Sequence, residues 1–154
     1  MLGGWQSNGI FSTQTGDPIN IRHGRDIAGT SIGGGQRPNV VGDPLGGVNR
    51  DRQAIINGGT WYNVDAYALP ESGFLGDGGR NTIISPGDWN LDFGLFKNFE
   101  LTERVRLQYR WEMFNAMNHA NLTNPQGNVT SGSAGEIQTL TGPRIMQMGL
   151  RLTF

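Results

Sequence analysis

The strongest constraint on this chain is an unbroken two-residue alternation near its end. Val105-Arg106-Leu107-Gln108-Tyr109-Arg110-Trp111-Glu112-Met113 sets five apolar residues against four strongly polar ones. Side chains of a β-strand point to opposite faces in turn, so the run predicts a strand with one apolar and one polar face. Trp89-Asn90-Leu91-Asp92-Phe93-Gly94-Leu95-Phe96 follows the same rule, with large apolar residues at the odd positions. Met146-Gln147-Met148-Gly149-Leu150-Arg151-Leu152-Thr153-Phe154 carries it to the last residue. A weaker version covers about Leu2 to Thr13, with Trp5 and Phe11 on one face and Gln6, Asn8 and Ser12 on the other.

Composition narrows the fold further. The 154 residues include 25 Gly and 14 Asn, and only 16% are charged. Gly and Asn are poor helix formers, and charged pairs one turn apart would be too few, so a helical bundle is excluded. The absence of cysteine excludes a disulfide scaffold and a cysteine-based zinc site. A net charge of −1 argues against a nucleic-acid partner, because phosphate recognition needs clustered Lys and Arg. Met1-Leu2-Gly3-Gly4-Trp5 lacks the basic and apolar regions of a signal peptide, so none is expected. Apolar runs are too short for a membrane helix, but the strands of a membrane barrel leave only a weak hydropathy signal.

The connections are unequal. Strands are expected near 2–14, 88–99, 104–117 and 143–154, within a single unit spanning 1–154. A short polar turn centred on Leu101-Thr102-Glu103-Arg104 joins the middle two. The other connections, 15–87 and 118–142, are long loops rich in Gly and Asn, with Pro at 18, 38, 44, 70 and 86. Loops of that length are rare in a compact soluble domain, yet outer-membrane barrels combine short periplasmic turns with long outer loops. The expected fold is therefore all-β, with antiparallel up-and-down strands forming a partial, four-strand segment of an outer-membrane barrel. With the C-terminus periplasmic, the short turn is periplasmic and both long loops lie outside. Trp89, Leu91, Phe93, Leu95, Val105, Leu107, Tyr109, Trp111 and Met113 then face lipid. Asn90, Asp92, Arg106, Gln108, Arg110 and Glu112 face a polar lumen, and Trp89, Trp111 and Phe154 suit an interfacial girdle.

Several motifs then point to one family. Gly79-Arg80-Asn81-Thr82, Pro86-Gly87-Asp88-Trp89-Asn90-Leu91-Asp92 and Leu95-Phe96-Lys97-Asn98-Phe99 follow one another closely. After them come Leu101-Thr102-Glu103-Arg104-Val105-Arg106-Leu107-Gln108 and Phe114-Asn115-Ala116-Met117-Asn118-His119-Ala120-Asn121. Pro143-Arg144-Ile145-Met146-Gln147 and Gly149-Leu150-Arg151-Leu152-Thr153-Phe154 close the series, and Arg37-Pro38-Asn39-Val40-Val41-Gly42-Asp43-Pro44 lies upstream. Together they resemble the C-terminal region of TonB-dependent outer-membrane receptors, most closely the Oar-like group. The resemblance implies the last four strands of a barrel of about 22 strands, without its N-terminal plug or TonB box. It implies an outer-membrane location, with the lipid bilayer and the barrel-assembly machinery as partners. Contact with TonB would run only through the missing N-terminal parts. Leu150, Leu152 and the terminal aromatic Phe154 match the assembly signal of such barrels. The implied function is that of a receptor and transporter fragment, with no independent catalysis.

The residues leave one alternative from another class, a small soluble β protein with esterase- or lactonase-like hydrolase activity, assisted by calcium. His119, His23, Asp77 and Asp88 are its catalytic candidates. No Gly-x-Ser-x-Gly elbow supports it, and with only two histidines a His-rich metal centre is excluded. Asp43, Asp51, Asp65, Asp77 and Asp88 are the calcium candidates, though turn formation explains the same residues, and no cofactor is the expectation. Gly33-Gly34-Gly35 is no phosphate loop, because no Gly-Lys-Ser/Thr follows it. Trp61-Tyr62 offers rings to stack on a sugar or siderophore, or to anchor a loop.

Overall fold

The computed structural model describes residues 3–31 and 35–154. Leu2, where the first strand is expected to begin, and Gly33-Gly34 lie outside the described residues. In chain order the elements are β1 (Trp5–Gln14), β2 (Pro18–Ile19), β3 (Asn39–Val40) and α1 (Arg52–Ile56). A 3-10 turn (Val64–Ala66) precedes β4 (Tyr67–Ala68), β5 (Ile83–Ile84), β6 (Asp88–Glu100), β7 (Arg106–Phe114) and β8 (Ile145–Thr153). No helix among the described residues is long and apolar enough to cross a membrane.

The long strands form one antiparallel sheet in the order β1-β6-β7-β8, as the alternation predicts. Register carries the alternation across the whole sheet. Phe93 sits opposite Met113, which sits opposite Met146; Leu95, Trp111 and Met148 form the next row. Tyr109 and Leu150 follow, then Phe99, Leu107 and Leu152. On the other side, Phe11 pairs with Leu91 and Trp5 with Lys97. This face is thus apolar along β6, β7 and β8 except at Lys97, while β1 adds only Trp5 and Phe11 among Ser7, Gly9 and Thr13, because a period of two keeps every row on one side. The opposite face is polar and internally bonded: Gln108 donates to Asn98 Oδ1 at 2.9 Å, and Gln147 to Glu112 Oε2 at 2.7 Å. Arg110 pairs with Glu112 at 3.0 Å and lies over the Phe96 ring. Gly94 lies on this face, where a Cβ would come within 2.3 Å of the Asn8 side chain and 3.1 Å of the Phe96 ring.

The sheet has two unlike ends. At one, residues 101–105 join β6 to β7, with Leu101 and Thr102 N–H groups both donating to the Val105 carbonyl. At the other, Gln14 pairs with Asp88 and Phe114 with Ile145, so both long connections leave from the same end. β7 stops at Phe114 because Asn115 takes a left-handed conformation (φ 52°), which ends extended pairing.

The long connections are not structureless. The chain divides into two compact units, one holding the sheet with residues 88–121 and 141–154, the other formed by 15–87 and 122–140. The second unit has its own core of Ile21, Tyr62 and Ile83, packed by Ile19, Trp61, Val64, Tyr67 and Val129. The segment 122–140 is stitched to it by bridges between Arg22 and Asn128 and between Thr60 and Glu136. Backbone passes so closely here that a Cβ on Gly76 would lie 2.1 Å from the Arg37 carbonyl oxygen. Gly and Asn density, which reads as loop in the sequence, serves this tight irregular packing.

Candidate functional site

The catalytic candidates fall into two separate groups. His23 and Asp77 belong to the loop unit, His119 and Asp88 to the sheet unit. His23 is fully buried, and neither ring nitrogen has a hydrogen-bond partner among the described residues. Its backbone N–H donates to the Gln36 carbonyl at 2.9 Å, within an irregular bridge. Asp77 lies in irregular backbone tied to β3: its Oδ1 accepts from the Val40 N–H at 2.9 Å, while its own N–H donates to Asn39 Oδ1. The His119 ring stacks on Trp89 at 4.3 Å between centroids, and its N–H and carbonyl both bond to the Asn115 side chain. Asp88 accepts from Gln14 Nε2 at 3.0 Å. Among the described residues no hydrogen bond joins a histidine ring to a carboxylate, and no three His, Asp or Glu side chains are grouped to hold a metal.

The aromatic pair is anchored. Trp61 Nε1 donates to the Ile84 carbonyl at 2.7 Å, and the Arg50 guanidinium lies over its ring. Tyr62 is fully buried and donates its hydroxyl to the Gln126 carbonyl at 2.7 Å. Burial, aided by the neighbouring Tyr67, pushes the Tyr62 phenol up to about 12. Asp26 moves the other way. Burial raises it, but donors from Thr30, Ser31 and Gln36 outweigh that and hold it below the usual carboxylate range.

At the end of the sheet where the long connections leave, three asparagines replace missing backbone. Asn115 Nδ2 donates to the carbonyls of His119 and Gly142, and Asn115 N–H donates to Asp92 Oδ1 at 3.0 Å. Asn118 Oδ1 accepts from the Arg144 N–H. The buried Asn121 pairs with both backbone groups of Trp89, continuing the ladder past the strand end. The Phe114–Asn121 motif is therefore a knot that ties off the strand. An Asn amide carries a donor and an acceptor spaced like a peptide group, which suits it to that role.

Sequence reasoning missed Lys97. It sits on the apolar face, only 7% exposed, where alternation calls for a hydrophobic residue. Its ammonium lies 4.8 Å from the Trp5 ring and 5.5 Å from that of Phe99, and donates to the Gly3 carbonyl. A cation among aromatic rings near the short-turn end suits a membrane interface, where a Lys stem is buried and its head stays polar. The signal for it is present: Phe99 resumes the alternation two residues later, flagging Lys97 as an in-register exception.

A family model described as an outer membrane beta barrel domain matches residues 1–147. The chain belongs to that family. Nothing among the curated proteins or the solved structures compared with the chain matches it. Family and sheet agree: a four-strand, one-face-apolar sheet is a part of a membrane barrel, and the outer membrane is the family's location.

Proposed function

We propose that the sheet belongs to the C-terminal barrel region of a TonB-dependent outer-membrane receptor of the Oar-like group. The observation that carries this reading is the polarity of the connections. One five-residue turn lies at one end of the sheet, and both long connections leave from the other. That is the arrangement of a barrel with short periplasmic turns and long outer segments. The motif run from Pro86 to Phe99 and the close at Leu150, Leu152 and Phe154 favour this receptor group over other barrels.

In this reading the apolar face meets lipid, and Lys97 with Trp5 marks the periplasmic interface. Asn90, Asp92, Arg110 and Glu112 face the lumen, so their work is solvation and passage of substrate rather than bond making. Leu150, Leu152 and Phe154 present the assembly signal from the apolar face. Among the described residues, none are grouped in favour of the calcium-assisted hydrolase. The coding sequence upstream of Met1 tests the receptor assignment. A continuous frame encoding a plug, a TonB box and about 18 further strands is the expected result. A short barrel with no plug would contradict it.

A further inference from the structure

A cleft of about 480 Å³ opens where β1, β6 and β7 reach the long-connection end of the polar face. Its size is that of a small-molecule site. Ser12, Gln14, Asp88, Asn90, Asp92 and Phe114 line it, with Asn115 and Asn121 behind them. We propose that this cleft binds a neutral polyhydroxylated ligand, an oligosaccharide segment, a reading that rests on the polar face being the lumenal one.

Three features of the lining select that chemistry. No lining residue is cationic, while two are carboxylates, so phosphates, carboxylates and other anions are repelled. A divalent cation is disfavoured by spacing. Asp88 and Asp92 are four residues apart on β6, and at about 3.3 Å per residue their backbones lie ~13 Å apart, too far to share one ion. The same spacing suits a chain of sugar hydroxyls. Amides, hydroxyls and carboxylates alternate along the cleft, offering donors and acceptors to groups that are both.

The carboxylates are also held in place beforehand. Gln14 Nε2 bonds Asp88 Oδ2, while Asn90 Nδ2 and the Asn115 N–H converge on Asp92 Oδ1. These bonds engage one oxygen of each carboxylate and orient the other. Phe114, 45% exposed, adds an apolar ring against which the C–H face of a sugar can rest. Preordered polar groups beside one exposed ring lower the ordering cost of binding a flexible chain.

The test uses the full chain in detergent micelles, its folding checked by heat-modifiable electrophoretic mobility and circular dichroism. Maltohexaose and cellohexaose, as neutral probes, are titrated by calorimetry beside hexagalacturonate and calcium chloride. At least one neutral hexasaccharide is expected to bind at millimolar concentration or below, with hexagalacturonate weaker. Asp92→Ala should raise its Kd about tenfold, the loss of a charge-assisted hydrogen bond. Ser12→Trp, which fills the cleft from an exposed edge strand, should abolish binding, while Gln108→Ala, outside the cleft lining, should leave it unchanged. Absence of binding by both neutral sugars to the folded chain overturns the proposal. So does saturation by hexagalacturonate or calcium alone, or equal weakening by Asp92→Ala and Gln108→Ala. Lipid exposure of Leu150 is measured in the same micelles, so loss of sugar binding with that exposure intact counts against the cleft alone. Sugar binding with Leu150 in water would instead count against the barrel.

Discussion

The two compact units solve the burial problem in opposite ways. In the loop unit Ile21, Ile55, Tyr62, Ala66 and Ile83 are each at most 2% exposed, and Ile21, Tyr62 and Ile83 pack together under side chains of the same unit. In the sheet unit, among the described residues, only Gly94, Lys97 and Asn121 are buried, and none is a large hydrophobe. Its apolar side chains stay open instead, with Leu150 at 71% and Phe154 at 93% exposure. A soluble fold rarely leaves so continuous an apolar face uncovered. The difference teaches that one unit is completed from within and the other by the medium around it, which for this family is lipid.

Substitutions that exploit this contrast separate the two units. The largest effect is expected at the terminus, where Phe154→Asp should abolish outer-membrane assembly of the intact barrel without touching the loop core. Surface delivery assayed by protease access measures it, and normal delivery would remove the assembly role. Next is Tyr62→Ala, which empties the loop core and should cost that unit about 3–5 kcal/mol in denaturant titration. Leu150→Arg should cost the sheet about 2–4 kcal/mol in bilayers, because Leu150 lies mid-strand in β8. Leu107, one residue in from the start of β7, lies nearer the turn, and Leu107→Arg should cost only about 0–1 kcal/mol. Gln147→Arg, on the polar face beside Glu112, should be close to silent. Equal damage from Leu150→Arg and Gln147→Arg would erase the distinction between faces.

Smaller effects probe the Tyr62 hydroxyl. Tyr62→Phe removes one of two donors to the Gln126 carbonyl, which keeps the Gly135 N–H, and should cost no more than about 1 kcal/mol. The raised phenol gives a pH signature. The unfolded chain ionises Tyr62 near 10 and the folded chain only near 12, so the unfolded state releases its proton first. Loop-unit stability should therefore fall as pH rises between those values and be unaffected by this group below them. Burial also raises the Tyr67 phenol, so ultraviolet titration should show late phenolate formation by both Tyr62 and Tyr67, and Tyr62→Phe should remove the component near 12.

The sheet is legible in the sequence because period two, sustained over nine residues, admits one geometry, and the short Leu101–Arg104 connection dictates antiparallel pairing. The loop unit is not. Ile21, Tyr62 and Ile83 lie far apart in the chain, on backbone without periodicity, so nothing local announces that they meet. The stitching of 122–140 to 15–87 is invisible for the same reason, since isolated bridges such as Thr60 to Glu136 have no pattern. Of the sheet's polar cleft, Asn90 and Asp92 are readable as lumenal from alternation alone. Asn115 and Asn121 are not, because their roles depend on backbone groups that only the finished strand end exposes.

Because the chain has no cysteine, single cysteines can be introduced at each position from 146 to 153 and spin-labelled in bilayers. Collision with oxygen, which partitions into lipid, is compared with collision by a water-soluble nickel chelate. A lipid-facing sheet predicts strict alternation: oxygen dominates at 146, 148, 150 and 152, nickel at 147, 149, 151 and 153. Uniform accessibility along the strand, or nickel access equal at Leu150 and Gln147, would contradict it.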